Sequence, residues 1–191
     1  MTSLALVGSP GPNTLGLAAL GAAWGMRRGL GFMAGMDLGM AVLVGAVGSG
    51  LWAAMAAVPG LAPAATAAAS LWLLYLAWRI AMAPPLGVRD AQDRQARPPS
   101  WRAGALLSLG NPKAWLAVAA VVSRYAPPEA GAGEAAAKGA ALWALIVAVN
   151  LGWLAAGAAL GRAARTPARG RALNRVFAVL LALSVIGAAL L

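Results

Sequence analysis

The chain contains no cysteine and no histidine. Their absence removes disulfides, thiol redox chemistry, thiolate metal sites and imidazole acid–base catalysis. A membrane thiol–disulfide carrier, which needs paired cysteines, is excluded on the same ground. Charge is almost as scarce. Only 10% of the 191 residues are charged, where soluble domains carry about a quarter. What fills the chain instead is apolar: 61% of residues are hydrophobic, and the mean hydropathy is +0.76. A water-soluble fold does not fit this balance. The net charge of +10 does not point to nucleic acid, because the arginines fall between apolar runs rather than on one amphipathic face. The N-terminus lacks a basic n-region and its apolar stretch continues through Leu20, so no cleavable signal peptide is expected.

Six apolar segments follow one another, which predicts an all-α membrane protein of six transmembrane helices. The first runs from Ser3 to Gly25 and is closed by Arg27-Arg28-Gly29. The second runs from Gly31 to Val58 and stops at Pro59-Gly60. The third begins near Pro63 and ends at Arg79 to Ala83, before Pro84-Pro85. A polar connector holds Arg89, Asp90, Asp93, Arg94 and Arg97, and the fourth segment is Ala103 to Ser123. A short loop, Ala126 to Lys138, leads to the fifth, Gly139 to Leu160. Arginines at 162, 165, 169, 171 and 175 precede or open the sixth, Leu173 to Leu191. The chain is one transmembrane domain: a three-helix half at 1–83, a connector at 84–102 and a second half at 103–191.

Charge sets orientation. The first, third and fifth connections hold twelve of the fifteen basic residues, whereas the second connection and both termini hold none. The positive-inside rule therefore places the arginine-rich loops in the cytoplasm and both termini outside. An odd number of segments per half makes equivalent helices cross in opposite directions, as in a 3+3 inverted repeat.

Two places break the apolar runs. Gly110-Asn111-Pro112-Lys113 lies in the middle of the fourth segment. A lysine there is about 15 Å from either end at 1.5 Å per residue. Its charge costs on the order of 2.5–3.5 kcal/mol at the bilayer centre. The proline removes a backbone hydrogen bond that hydrocarbon cannot replace. Pro10-Gly11-Pro12-Asn13 interrupts the first segment in the same way, with proline and asparagine exchanged. Each feature also has a structural reading: a proline can simply kink a helix, and an asparagine can simply bond a neighbouring helix. Paired breaks beside a buried cation point instead to a polar cavity inside a helical bundle, with the broken first helix of each half as its wall.

Pro10-Gly11-Pro12-Asn13-Thr14-Leu15 is followed by Arg27-Arg28-Gly29 with Gly31, Gly35 and Gly39. Tyr75-Leu76, Asn111-Pro112-Lys113-Ala114 and Leu173-Asn174-Arg175 come next, in that order. This series resembles the lysine-exporter (LysE/RhtB-type) family over nearly the whole chain. The resemblance implies a six-helix bacterial inner-membrane carrier that exports amino acids or related metabolites on a proton or ion gradient, with no cofactor. Family members usually have a longer lead before the first proline motif. Two acidic positions also depart from the pattern. Met40 stands where an acid often follows the last glycine of the second helix, with Asp37 three residues earlier, and Asn150 stands at an acidic position of the fifth helix.

Exporting a zwitterion needs a partner for its carboxylate, another for its ammonium, and a link to the gradient. Freed backbone groups and helix dipoles at the breaks supply part of this. Lys113 is the natural carboxylate partner, or a counter-ion to Asp37 when the site is empty. Asp37 is the one acid in any apolar segment, and it can bind an ammonium or carry a proton. Asn13, Asn111 and Asn150 can satisfy freed backbone groups or touch cargo. The expected site is thus Pro10, Gly11, Pro12, Asn13, Asp37, Asn111, Pro112, Lys113 and Asn150. A neutral amino acid fits better than lysine or arginine, because a lone acid facing a lysine leaves little field for a cation. The four-residue spacing of Gly31, Gly35 and Gly39 is read as close helix packing. Trp24, Trp52, Trp72, Trp101, Trp115, Trp143 and Trp153 are read as interface anchors or packing.

Other classes fit less well. A metal or inorganic-ion exporter needs clustered acids, histidines or cysteines. An enzyme needs paired acids or an activated nucleophile, and neither can be assembled here. A non-transporting scaffold shares the composition. The sequence leaves open the particular cargo, the coupling ion and whether two copies form a homodimer.

Overall fold

A computed structural model describes residues 7–51, 54, 57–82, 98–125, 131–164 and 166–189. Most of the connector at 84–102 and residues 126–130 of the next loop lie outside the described residues. Among the described residues six helices follow in order: α1 (Pro12–Gly48), α2 (Leu61–Ala81), α3 (Trp101–Leu109), α4 (Pro112–Tyr125), α5 (Ala132–Ala163) and α6 (Pro167–Ala189). No strand occurs among the described residues. Helices α1, α5 and α6 are long and apolar enough to cross a membrane. The α3–α4 pair, bent by 63°, makes a fourth crossing if it is one span.

The helix α1 is two arms rather than one rod. Gly25 breaks it with φ 74° and ψ 172°, a backbone region open to essentially glycine alone. The arms, residues 12–24 and 26–48, run back along each other. Asn13 Nδ2 reaches Met40 Sδ at 3.4 Å, and a Cβ on Gly29 would touch the Leu20 side chain. The chain therefore turns at the end of the first apolar segment, as the sequence suggests. Arg27 and Arg28, however, belong to the first turn of the second arm rather than to a connecting loop. That arm ends at Gly48, short of Val58; Gly50 just beyond it and Gly60 at the cap of α2 both stand at positive φ.

Two further boundaries differ from the sequence reading. The fifth helix starts at Ala132 instead of Gly139. Three consecutive alanines favour helix there, and Glu134 pairs with Lys138 one turn on at 2.6 Å. The sixth begins at Pro167, a residue suited to a first helical position, so Arg169, Arg171 and Arg175 are helical.

Packing is by close backbone approach, the mode open to helices in lipid. A Cβ on Gly21 would overlap the Leu154 carbonyl, and Cβ atoms on Gly157 and Gly161 would overlap the carbonyls of Ala18 and Ala22. The first arm of α1 is thereby locked onto α5. The second arm is locked onto α3 by the same device: Gly35 faces the Trp101 backbone, Gly39 faces Ala105, and Gly104 faces the Phe32 carbonyl. Gly31, expected to pack likewise, faces open space. Helices α2 and α6 pack on each other beside this core. One apolar cluster, with Leu17, Met36, Leu73, Leu154 and Leu181, fills the space between these helices. A second, with Met40, Leu43, Val118, Leu142 and Ile146, joins α1, α4 and α5.

Candidate functional site

Both breaks follow from the same local chemistry. Proline has no N–H and a φ already suited to a first helical position. Pro12 starts α1 and Pro112 starts α4. Ahead of each proline the chain is non-helical, and the carbonyls there lose their helical partners. At the first break Gly11 N–H donates to Thr14 Oγ1 at 2.9 Å, which ties the cap to the helix. At the second, Asn111 is itself the cap: its Oδ1 accepts from the Lys113 backbone N–H at 3.1 Å.

The freed carbonyls are met by side chains. Trp153 Nε1 donates to Gly8 O at 3.3 Å, Thr14 Oγ1 to Ser9 O at 3.3 Å, and Lys113 Nζ to Pro10 O at 2.6 Å. On the other side, Trp115 Nε1 donates to Leu109 O at 2.8 Å. Two tryptophans read as packing or interface anchors are thus also carbonyl caps at the breaks.

The two breaks meet. Asn111 Nδ2 donates to Asn13 Oδ1 at 2.9 Å, although 98 residues separate them. Asn13 Nδ2 lies 3.3 Å from Ser108 Oγ, and Ser108 Oγ donates to Met36 O at 3.0 Å. The Lys113 side chain runs across Gly11, where a Cβ would stand 3.0 Å from its Cδ and 3.1 Å from its Nζ. The cation is half-buried at the junction.

A cavity of about 40 Å³ opens beside this junction. Its polar wall is Ser9, Asn13, Thr14, Asn111, Lys113 and Asn150, and its apolar wall includes Met40, Ala117, Val118 and Ile146. That volume holds about three waters. Asp37 is buried just outside the lining. Its Oδ1 accepts from Asn150 Nδ2 at 2.7 Å, and its backbone carbonyl accepts from Trp143 Nε1 at 2.8 Å. Lys113 is therefore not the counter-ion of Asp37 in this structure. Pro10 O holds the ammonium and Asn150 holds the carboxylate, because each partner is nearer and already aimed.

Of the residues expected at the site, Gly11, Asn13, Asn111, Lys113 and Asn150 line one cavity. Pro12 and Pro112 are buried starts of the flanking helices, and Pro10 is exposed at the rim with its carbonyl turned inward. Asp37 is one hydrogen bond away. Ser108 and Thr14 were not among the expected residues. Each carries a visible signal, a hydroxyl within three residues of a break in an otherwise apolar run.

Apolar helices locked by glycine, two of them broken around a shared polar cavity, define a membrane transporter. The chain belongs to the LysE type translocator family, whose model matches residues 4–191. No curated protein and no solved structure matches it.

Proposed function

We propose that the protein is a secondary-active exporter of amino acids or closely related small metabolites across the bacterial inner membrane, coupled to the proton gradient. The observation that carries this is the convergence of both interrupted helices on one cavity whose sole lining charge, among the described residues, is Lys113. An ammonium held by a backbone carbonyl exchanges readily onto a carboxylate, a stronger acceptor. Lys113 takes the cargo carboxylate, Asn13 and Asn111 keep the broken helices in register, and Asp37 carries the proton. A cavity sized for a few waters corresponds to a contracted state, so loading requires the walls to part. Among the described residues of that lining a metal or other cation would meet a lysine and no acid, which disfavours the ion-exporter alternative.

Six crossings in a 3+3 inverted repeat, with both termini outside, complete the proposal. The packing supports it: the first arm of α1 lies on α5, α3 lies on the second arm of α1, and α2 lies on α6. Exchanging the halves maps the first two of these contacts onto each other and the third onto itself, as a two-fold axis in the membrane plane requires. Asn13 and Asn111 meet where that axis would pass.

Purified protein in lipid vesicles should drive labelled L-amino acids uphill when a proton gradient is imposed. Cells expressing it should survive toxic loads of its cargo. A correctly inserted protein that moves neither amino acids nor related small metabolites under either regime is a scaffold and not a carrier.

A further inference from the structure

We infer that Asn150 is a positioning residue that presents the protonation state of Asp37 to the cargo. The inference rests on the exporter reading above, with Asp37 as proton carrier. Asn150 lines the cavity and Asp37 does not, yet the two are joined by a 2.7 Å hydrogen bond. Both are buried, at 3% and 6% exposure. Whatever Asp37 does to cargo in this geometry must pass through that amide.

The chemistry of the pair has two settings. An ionised carboxylate only accepts, so the amide must turn Nδ2 toward it. Oδ1 is then left for the cavity side, an acceptor suited to the cargo ammonium. A protonated Asp37 has an O–H to donate, and the Asn150 amide already bonded to it offers Oδ1 as an acceptor. Oδ1 can answer by closing an acid–amide pair, or the amide can turn over about χ2, a broad and soft torsion. Both responses withdraw Oδ1 from the cavity. The proton adds to a carboxylate oxygen of Asp37 and no other covalent bond changes. The ammonium loses an acceptor without the proton ever touching the cargo. That is the exchange an antiporter needs.

Few other charges bear on Asp37. Its own arm carries Arg27 and Arg28 at the start, and the other arm of α1 carries none. Helix α3 brings Arg102 at its first turn, and α4 brings Lys113 at the cavity and Arg124 at its far end. Helix α5 brings the mutually paired Glu134 and Lys138 at one end and Arg162 at the other. Helix α6 brings Arg169, Arg171 and Arg175 in its opening turns. Of the charged groups among the described residues, Lys113 alone lines the cavity with Asn150.

Infrared difference spectra test the inference on protein in lipid vesicles with isotope-labelled asparagine, between mildly alkaline and mildly acidic buffer. Acidification should produce a carboxyl band that Asp37→Asn abolishes, together with a shift of a labelled amide carbonyl. In Asn150→Leu the carboxyl band should remain and the amide shift should vanish. An Asp37 band with no asparagine shift in the wild type overturns the inference, even if the leucine variant fails to insert. So does an asparagine shift that survives Asn150→Leu, or a wild type in which no Asp37 band forms. Counterflow of labelled L-amino acids adds a second readout. The wild-type KM should rise roughly tenfold on acidification, the loss of one hydrogen bond to a charged group, and the Asn150→Leu KM should be flat with pH. A wild type without counterflow ends the exporter reading and leaves the infrared result standing.

Discussion

Replacing Lys113 by alanine should raise the KM for amino-acid cargo about tenfold. Hydrogen bonds to charged groups contribute roughly 1.5–3 kcal/mol each. The Lys113 ammonium is already engaged with Pro10 O at 2.6 Å, so binding a carboxylate replaces one such bond by a stronger one. The net gain is a difference, about 1.4 kcal/mol, or one decade in affinity. An uncommitted lysine would give nearer two decades. Counterflow in vesicles, with each amino acid compared against its carboxamide, isolates the effect. Alanine at position 113 should weaken the amino acid and leave the amide unchanged, since the amide presents no anion. An amino-acid KM within a factor of two of wild type, or an equal loss for the amide, would refute Lys113 as the carboxylate partner.

Other outcomes follow from the packing and the turns. Gly157→Ala and Gly104→Ala push a Cβ into the Ala18 and Phe32 backbones. Overpacking of this kind costs about 1–3 kcal/mol, so thermal unfolding should fall by several degrees at about 2–4 °C per kcal/mol. Gly133→Ala, with nothing within 4 Å, should leave it unchanged. Gly25→Ala has equal room around it but φ 74°. It should lose about 1–3 kcal/mol through backbone strain alone, read as a lowered unfolding midpoint with no change in helix content. The chain has no native cysteine, so single cysteines report topology directly. Gly131→Cys should react with an impermeant maleimide from outside intact cells, and Ser100→Cys only after permeabilisation. The opposite pattern would invert the proposed orientation.

Much of the candidate site's geometry was legible because bilayer physics makes its ingredients conspicuous. A lysine and two prolines inside apolar runs demand an explanation, and the structure brings Gly11, Asn13, Asn111 and Lys113 together at one junction. The sequence does not carry distance across the bundle. Asp37 and Lys113 are opposite charges in an apolar chain, and pairing them is the natural guess. The fold instead gives each a neutral partner, since Asn150 on α5 and the Pro10 carbonyl arrive first. The tryptophan donors were hidden for a similar reason. An indole near a helix end looks like a membrane anchor until the carbonyl it faces is known. Helix limits failed where local propensity outweighed hydropathy. The stretch from Ala132 to Lys138 is charged enough to look like a loop, yet its alanines and the Glu134–Lys138 pair make it helix. Arg27 and Arg28 look like a linker, but the turn needs only Gly25.

The glycine lock between the first arm of α1 and α5 also bears on biogenesis. Residues 12–24 leave the ribosome well before the surface they fit, around Leu154 and Gly157, which is made more than a hundred residues later. Until then that arm, with Asn13 inside it, has the second arm of α1 beside it but lacks the α5 surface that locks it. A nascent chain stalled before α5 should therefore be a prime target for membrane quality-control proteases, and one stalled after it should not.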